Sequence, residues 1–173
     1  LGLSGHPFGC PDMIGGGLAS DFNLHPQWVF DQELFIRWAQ CSTLMPMMQY
    51  SISLWRFRNK RTAELTRQAA KYHLELSDYI VKYANDARTS GEPIVRFMEY
   101  SYPHEGMVGA QHQFMLGDDY LVAPVVYKKM RSREVMLPKD TKWQLLSTGD
   151  IYEGGNTITI DVPIEVLPIF KKI

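Results

Sequence analysis

From Asp31 the run DQELFIRWAQCSTLM places Leu34, Trp38, Cys41 and Met45 three or four residues apart, the period that lines one face of an α-helix. Asp31 stands where an N-cap belongs, and Glu33 falls in the first turn, where a carboxylate suits the positive end of the helix dipole. Pro46 ends this helix, and the following MMQYSISLW reads as a short strand. A longer amphipathic pattern runs from Arg61 to Thr89 through Leu65, Ala69, Tyr72, Leu76, Tyr79, Ile80, Tyr83 and Ala87. It stops at Ser90-Gly91, with Pro93 just beyond. Ahead of both helices, residues 3–14 form an apolar stretch interrupted by Pro7 and Pro11, which reads as a buried strand ending at Asp12. Strand, helix, strand, helix is the rhythm of a parallel α/β unit.

After Pro93 the pattern changes to short β-rich runs: EPIVRFMEY, DDYLVAPVVY, SREVMLP, KWQLLST, NTITIDVP and VLPIFKKI, separated by Gly, Pro, Asp and Lys. That spacing predicts an antiparallel sandwich or meander. The expected organisation is therefore α/β for residues 1–92 and all-β for residues 93–173. Two βα units cannot close a barrel, so the first part calls for strands from elsewhere. The chain also opens on Leu-Gly-Leu-Ser-Gly and enters an apolar segment at once, as expected of a piece of something longer.

A content of 45% hydrophobic and 21% charged residues is that of a chain able to bury a core. With a net charge of −1 and no basic stripe interleaved with aromatics, the charge needed to neutralise phosphates is missing, and nucleic acid is not an expected partner. No apolar run approaches the ~20 residues that span a bilayer. Two cysteines, Cys10 and Cys41, cannot build a disulfide framework and are expected to pack as small hydrophobes. The five histidines show no metal spacing, so no metal or cofactor is expected.

The stretch HPFGCPDMIGGG sets one carboxylate, Asp12, beside a run of glycines. No Lys-Ser/Thr follows, so this is not a phosphate-binding loop. Two readings stay open: a turn that needs positive φ and is capped locally by Asp12, or a carboxylate presented where a ligand must approach the backbone. Asp118-Asp119 is the other tempting acidic pair, but neighbours on a strand point to opposite faces, and a structural turn is expected. Trp38 and Trp143 are expected in the core, and Trp28 at the rim of a cleft.

PDMIGGG, ELFIRWAQCSTLMPMMQ, EPIVRFMEYSYP, QFMLGDDYLVAPV, SREVMLP with KWQLLSTGDIYEGG, and VPIEVLPIF, in that order, resemble the second half of glycoside hydrolase family 31. It is the order of the blocks that carries the likeness. The resemblance implies the last two βα units of a TIM barrel followed by a proximal C-terminal β-sandwich. It implies a retaining α-glycosidase acting on an α-glycoside or oligosaccharide, with the remainder of the barrel as partner. Asp12 matches the family's hydroxyl-binding aspartate. Gln49 and Ser51 stand where most members carry arginine and histidine, so Ser51 is a candidate sugar contact and ordinary glucosidase specificity is in question. Trp55 and Arg56, just beyond, could stack on a pyranose and bond its hydroxyls. The Met-Pro-x-Met-Gln-aromatic-Ser run followed by Trp-Arg is similar to the branch that includes the myogenesis-regulating glycosidase, where α-galactoside cleavage is implied. Both catalytic aspartates of the family precede the first block, so none is expected here. A secretory, endoplasmic-reticulum or lysosomal setting is implied by the resemblance alone. The competing expectation is a non-catalytic carbohydrate- or partner-binding module derived from such an enzyme.

Overall fold

The computed structural model describes residues 2–16, 31–56 and 59–173, with only the backbone of Arg56 included. Three long helices lead. In α1, Gln32–Thr43, the Asp31 carboxylate accepts from Leu34 N at 3.1 Å, the cap the sequence predicts. In α2, Lys60–Glu75, Asn59 caps by accepting from Arg61 N at 2.9 Å. Helix α3, Ser77–Ser90, ends on Gly91 at φ 76°, a left-handed cap that glycine adopts without steric cost.

The single helix expected over 61–89 is thus two, broken at Leu76. The reason lies in what each half covers. Ala69 of α2 packs with Phe35 and Ala39 of α1, whereas Ile80, Tyr83 and Ala87 of α3 pack on the β-sheet, and no straight helix offers both faces. The stripe expected on α1 is also displaced. Leu34 is 58% exposed, Trp38 is half-buried, and the buried positions are Phe35, Ile36, Arg37, Ala39, Gln40, Ser42 and Thr43. This helix is wedged between α2 on one side and residues 162–166 on another, so its buried arc is wider than one stripe.

The second half is antiparallel throughout. Strands β1 (Val95–Phe97), β2 (Phe114–Leu116), β3 (Tyr120–Val122), β5 (Lys142–Leu145), β6 (Ile151–Glu153) and β8 (Ile169–Lys172) form one sheet in the order β1-β2-β3-β8-β5-β6. Strands β4 (Ser132–Met136) and β7 (Thr157–Asp161) form a two-stranded partner sheet. A short helix, α4 (Met98–Ser101), follows β1. Every run expected as a strand after Pro93 contains one, and β2 and β6 are additional. Between the sheets lie Val135, Ile160, Trp143, Leu145, Leu121 and Phe170, with the Trp143 indole N–H satisfied by Pro138 O at 3.2 Å. The sheets share this core as a small sandwich. A second cluster joins α3 to the larger sheet's other face, and a third holds Ile14, Phe35, Ala39, Ile52 and Ala69 together.

The strands expected over 3–14 and 47–55 reduce to one parallel bridge, Ile14 with Tyr50, flanked by single-turn 3₁₀ segments at Gly2–Ser4 and Leu54–Arg56. Pro7 and Pro11 have no N–H to give a ladder, so the extended backbone around them cannot register as a strand. No helix among the described residues is long and apolar enough to cross a membrane.

Candidate functional site

Residues 6–13 run extended between two neighbours. Pro7 O accepts from Ile94 N at 3.1 Å on one side. On the other, Ile14 N donates to Gln49 O at 3.0 Å and Ile14 O accepts from Ser51 N at 3.1 Å. This parallel pairing brings Asp12 and Ser51, far apart in sequence, to the same region of the molecule. Period-two alternation then sorts the side chains: Tyr50 and Ile52 point toward α1 and α2, while Gln49 and Ser51 are exposed on the opposite side. The Tyr50 hydroxyl donates to Thr66 O at 2.9 Å, and burial pushes its pKa up.

Beyond the bridge the chain turns at once. Gly16 N donates to Met13 O at 2.7 Å, and Gly15 adopts φ 78°. A Cβ on Gly15 would stand 2.8 Å from Phe35 and 2.9 Å from Ile52, so both conformation and packing require glycine there. The local-turn reading of this stretch is correct as far as it goes. Asp12 is nonetheless exposed: one carboxylate oxygen accepts from Met13 N at 2.8 Å, and the other has no protein partner among the described residues. A Cβ on Gly16 would stand 2.8 Å from Met13 O, so the turn itself requires glycine there, and 3.5 Å from the carboxylate.

Of the other residues singled out, Trp55 is 86% exposed in the 3₁₀ turn after the bridge. Arg56 closes the same turn, and its side chain lies outside the described residues, as do Trp28 and Gly17. Ser51 Oγ lies 3.5 Å from Ile14 O. Cys10 is exposed rather than packed, because its stretch between two prolines runs along the surface. There its sulfur accepts from Gln49 Nε2 at 3.5 Å. Cys41 is half-buried, and burial pushes its thiol up to about 11, against the opposing influence of Arg133. A cavity of about 510 Å³ opens beside Cys10 and Pro11, walled by Phe97, Phe114, Pro124 and Val126; Asp12, Ser51 and Trp55 lie outside it, on open surface.

Asp118-Asp119 is a structural turn. The Asp118 carboxylate accepts from Tyr83 Oη at 2.9 Å and from Arg96, Asp118 N donates to Tyr83 Oη at 3.0 Å, and Asp119 N donates to Tyr79 Oη at 3.2 Å. Burial alone would raise the Asp118 carboxyl, yet the bonds from Tyr83 and Arg96 hold it below its ordinary value. Glu33 stands in the first turn of α1 as expected, and also accepts from Arg131 Nη1 at 2.5 Å and from Lys129 N at 3.1 Å. No group of three His, Cys, Asp or Glu side chains is gathered for a metal among the described residues.

Missed entirely by the helical pattern was Arg37. Buried on α1, it donates to Val162 O at 2.6 Å, Pro163 O at 3.0 Å and Val166 O at 2.7 Å. Gln40 beside it donates to Ile164 O at 2.8 Å. The only sign was a charged and an amide residue three apart inside an apolar helix.

Residues 91–173, which contain the whole sandwich, match the model of the glycosyl hydrolase family 31 C-terminal domain. This stretch is therefore similar to the C-terminal domain of glycosyl hydrolase family 31. The chain is 30% identical over 170 residues to the SITS-binding protein of Tetronarce californica and 30% identical over 169 residues to the myogenesis-regulating glycosidase of Mus musculus. In each comparison 96% of the chain is aligned, and it spans 23% of the relative's length. Among solved structures, a family 31 α-xylosidase from a soil metagenome, complexed with xylose, superposes on 82% of the chain at a TM-score of 0.76 and 26% identity, using 25% of its own length. That superposition reaches upstream of the family 31 domain into the helical half. The resemblance carried by the ordered blocks is therefore correct at the level of the family.

Proposed function

We propose that this chain is the C-terminal portion of a retaining α-glycosidase hydrolysing O-glycosyl bonds, supplying sugar-binding residues while the catalytic carboxylate pair stands on earlier segments of the same protein. On this reading residues 1–92 are the last two βα units of a (β/α)₈ barrel, and residues 93–173 the barrel end and proximal sandwich. The observation that carries it is the parallel Ile14–Tyr50 bridge, with helices packed on one side, Gln49 and Ser51 exposed on the other, and an exposed Asp12 two residues ahead of the bridge. Barrels of this kind place their chemistry where strands end.

The chemistry divides accordingly. A retaining mechanism needs two carboxyls ~5–5.5 Å apart. Asp118 is already committed to Tyr83 and Arg96. Asp12 offers a carboxylate oxygen able to accept sugar hydroxyls, and charge-assisted bonds of that kind are the strong ones. Trp55 supplies an exposed indole on which a pyranose can stack, Ser51 a hydroxyl and Arg56 a guanidinium. The glycone is an α-linked neutral sugar, an α-galactoside if the branch likeness extends to specificity.

In the protein bearing the complete barrel, Asp12→Asn is expected to lower kcat/KM on an aryl α-glycoside by roughly 10- to 100-fold, the loss of about 1.5–3 kcal/mol for a hydrogen bond to a charged group. The melting temperature should not move, since Asp12 is exposed. Unchanged kcat/KM removes Asp12 from the site. Turnover by residues 1–173 alone overturns the division of roles.

A second reading, a binding module without catalysis, is favoured by the relative whose name describes a binding protein and by Gln49 and Ser51 at the bridge. Two aspartates at strand ends upstream of Leu1 decide for the enzyme; their absence decides for the module.

A further inference from the structure

The outer face of the small sheet carries a groove of about 610 Å³ between β4 and residues 109–113, which shares Gln111, His112 and Gln113 with the cavity beside Cys10 and does not include Asp12 in its lining. Its lining is mixed: the Tyr127 ring, the side chains of Gln111 and His112, the Ser132 and Thr159 hydroxyls and the Glu134 carboxylate. Tyr127 is 58% exposed, yet it is held in place. Its hydroxyl lies 3.2 Å from His112 Nε2, and the two rings stand perpendicular at 5.7 Å, which leaves a face of the phenol free.

The groove is rigid beneath. Buried Arg133 donates to His112 O and Pro124 O, fixing the loop that carries His112. Gln113 accepts from Met136 N at 3.0 Å and donates to Met136 O at 2.7 Å, so its amide occupies one rung of the β4 edge as a neighbouring strand would. Val162 N to Arg131 O and Leu137 N to Asn156 O set the parity of the β4–β7 ladder. The N–H and C=O groups of Ser132 and Glu134 therefore face away from β7, along the groove, without a partner among the described residues.

We propose that this groove is a second saccharide-binding site, taking a neutral oligosaccharide with one ring on Tyr127 and hydroxyls on Glu134, Ser132 and the open β4 edge. A sugar hydroxyl both donates and accepts, matching an edge that offers both in alternation. An extended peptide is the other molecule that pairs with a strand edge. Gln113 has already closed one rung, however, and the open part is two residues long, bordered by an aromatic ring and hydroxyls rather than apolar side-chain pockets. This site does not depend on the role proposed for Asp12.

The test is a titration of the ¹⁵N-labelled protein with isomaltotriose, following the backbone amides of Gln111, His112, Ser132 and Glu134. Saturable shifts at these positions are expected. Tyr127→Ala should weaken binding about tenfold through loss of the ring contact. Glu134→Gln, at an exposed position, should weaken it several-fold and keeps the test decisive should the first variant unfold. Three outcomes overturn the proposal: no shifts at millimolar sugar, shifts confined to the surroundings of Asp12 and Ser51, or shifts at Ser132 and Glu134 produced only by a capped Thr-Val-Thr-Val tetrapeptide. The last would assign the edge to strand addition.

Discussion

The Arg37 guanidinium donates to the carbonyl oxygen of Val162 at 2.6 Å, joining the first described long helix to a loop 125 positions later. The same side chain reaches Pro163 O and Val166 O, and Arg61 pairs with Glu165 from α2, so residues 162–166 are held by two helices. Helical and β-rich halves are thereby locked together by polar contacts. Replacing Arg37 by Met takes the guanidinium from the Val162 and Val166 carbonyls, while Pro163 O keeps Val166 N, and is expected to cost about 3–5 kcal/mol. Lysine should not restore it, because one ammonium cannot span acceptors that the planar fork reaches together. Urea denaturation measures both; a loss below about 1 kcal/mol would show that the clamp is dispensable.

Gly15 and Gly149 separate backbone strain from crowding. Both sit at positive φ, 78° and 82°, but a Cβ on Gly15 meets Phe35 and Ile52, whereas one on Gly149 meets nothing within 4 Å. Gly149→Ala should cost about 1–2 kcal/mol. Gly15→Ala should cost that plus an overpacking penalty of about 1–3 kcal/mol. Equal melting-temperature losses would mean that the third core cluster relaxes around the methyl.

Acid should loosen the junction between α1 and the β-rich half. The hydrogen bond from Lys128 and the cap bond from Leu34 N hold Asp31 below its ordinary 3.8, and the Arg131 hydrogen bond holds Glu33 below its ordinary 4.5. Carboxyls lowered in the folded state contribute stability at pH values above their unfolded pKa, and that contribution disappears as pH falls through the folded one. The melting temperature should therefore drop below about pH 4.5. Asp31→Asn with Glu33→Gln should flatten the drop, and added salt should shrink it because the pairs are partly solvated. An unchanged acid limb in the double variant would exclude these pairs as its source.

The two thiols should separate cleanly under alkylation. Cys10 is exposed, whereas Cys41 is half-buried with its pKa pushed up to about 11, so near pH 8 it holds almost no thiolate. Peptide mass spectrometry after brief iodoacetamide treatment should find Cys10 modified and Cys41 intact in the native protein. Equal labelling would mean that α1 opens readily.

Composition, helical period and turn residues determined a good deal by themselves. The Asp31 cap, the Gly91 stop and the alternation that became β3, β4, β5, β7 and β8 are local features, written within a few residues of where they act. The six ordered blocks gave the likeness to the family for the same reason, since order along a chain is a property of sequence. Tertiary structure alone decided the break at Leu76, the exposure of Leu34 and Cys10, and the burial of Arg37, because each depends on which distant surface arrives beside it. It also decided that Ile14 pairs with Tyr50 in one parallel bridge, and that the edge of β4 is left open beside Tyr127. Such pairings join residues tens of positions apart, and no local period encodes them.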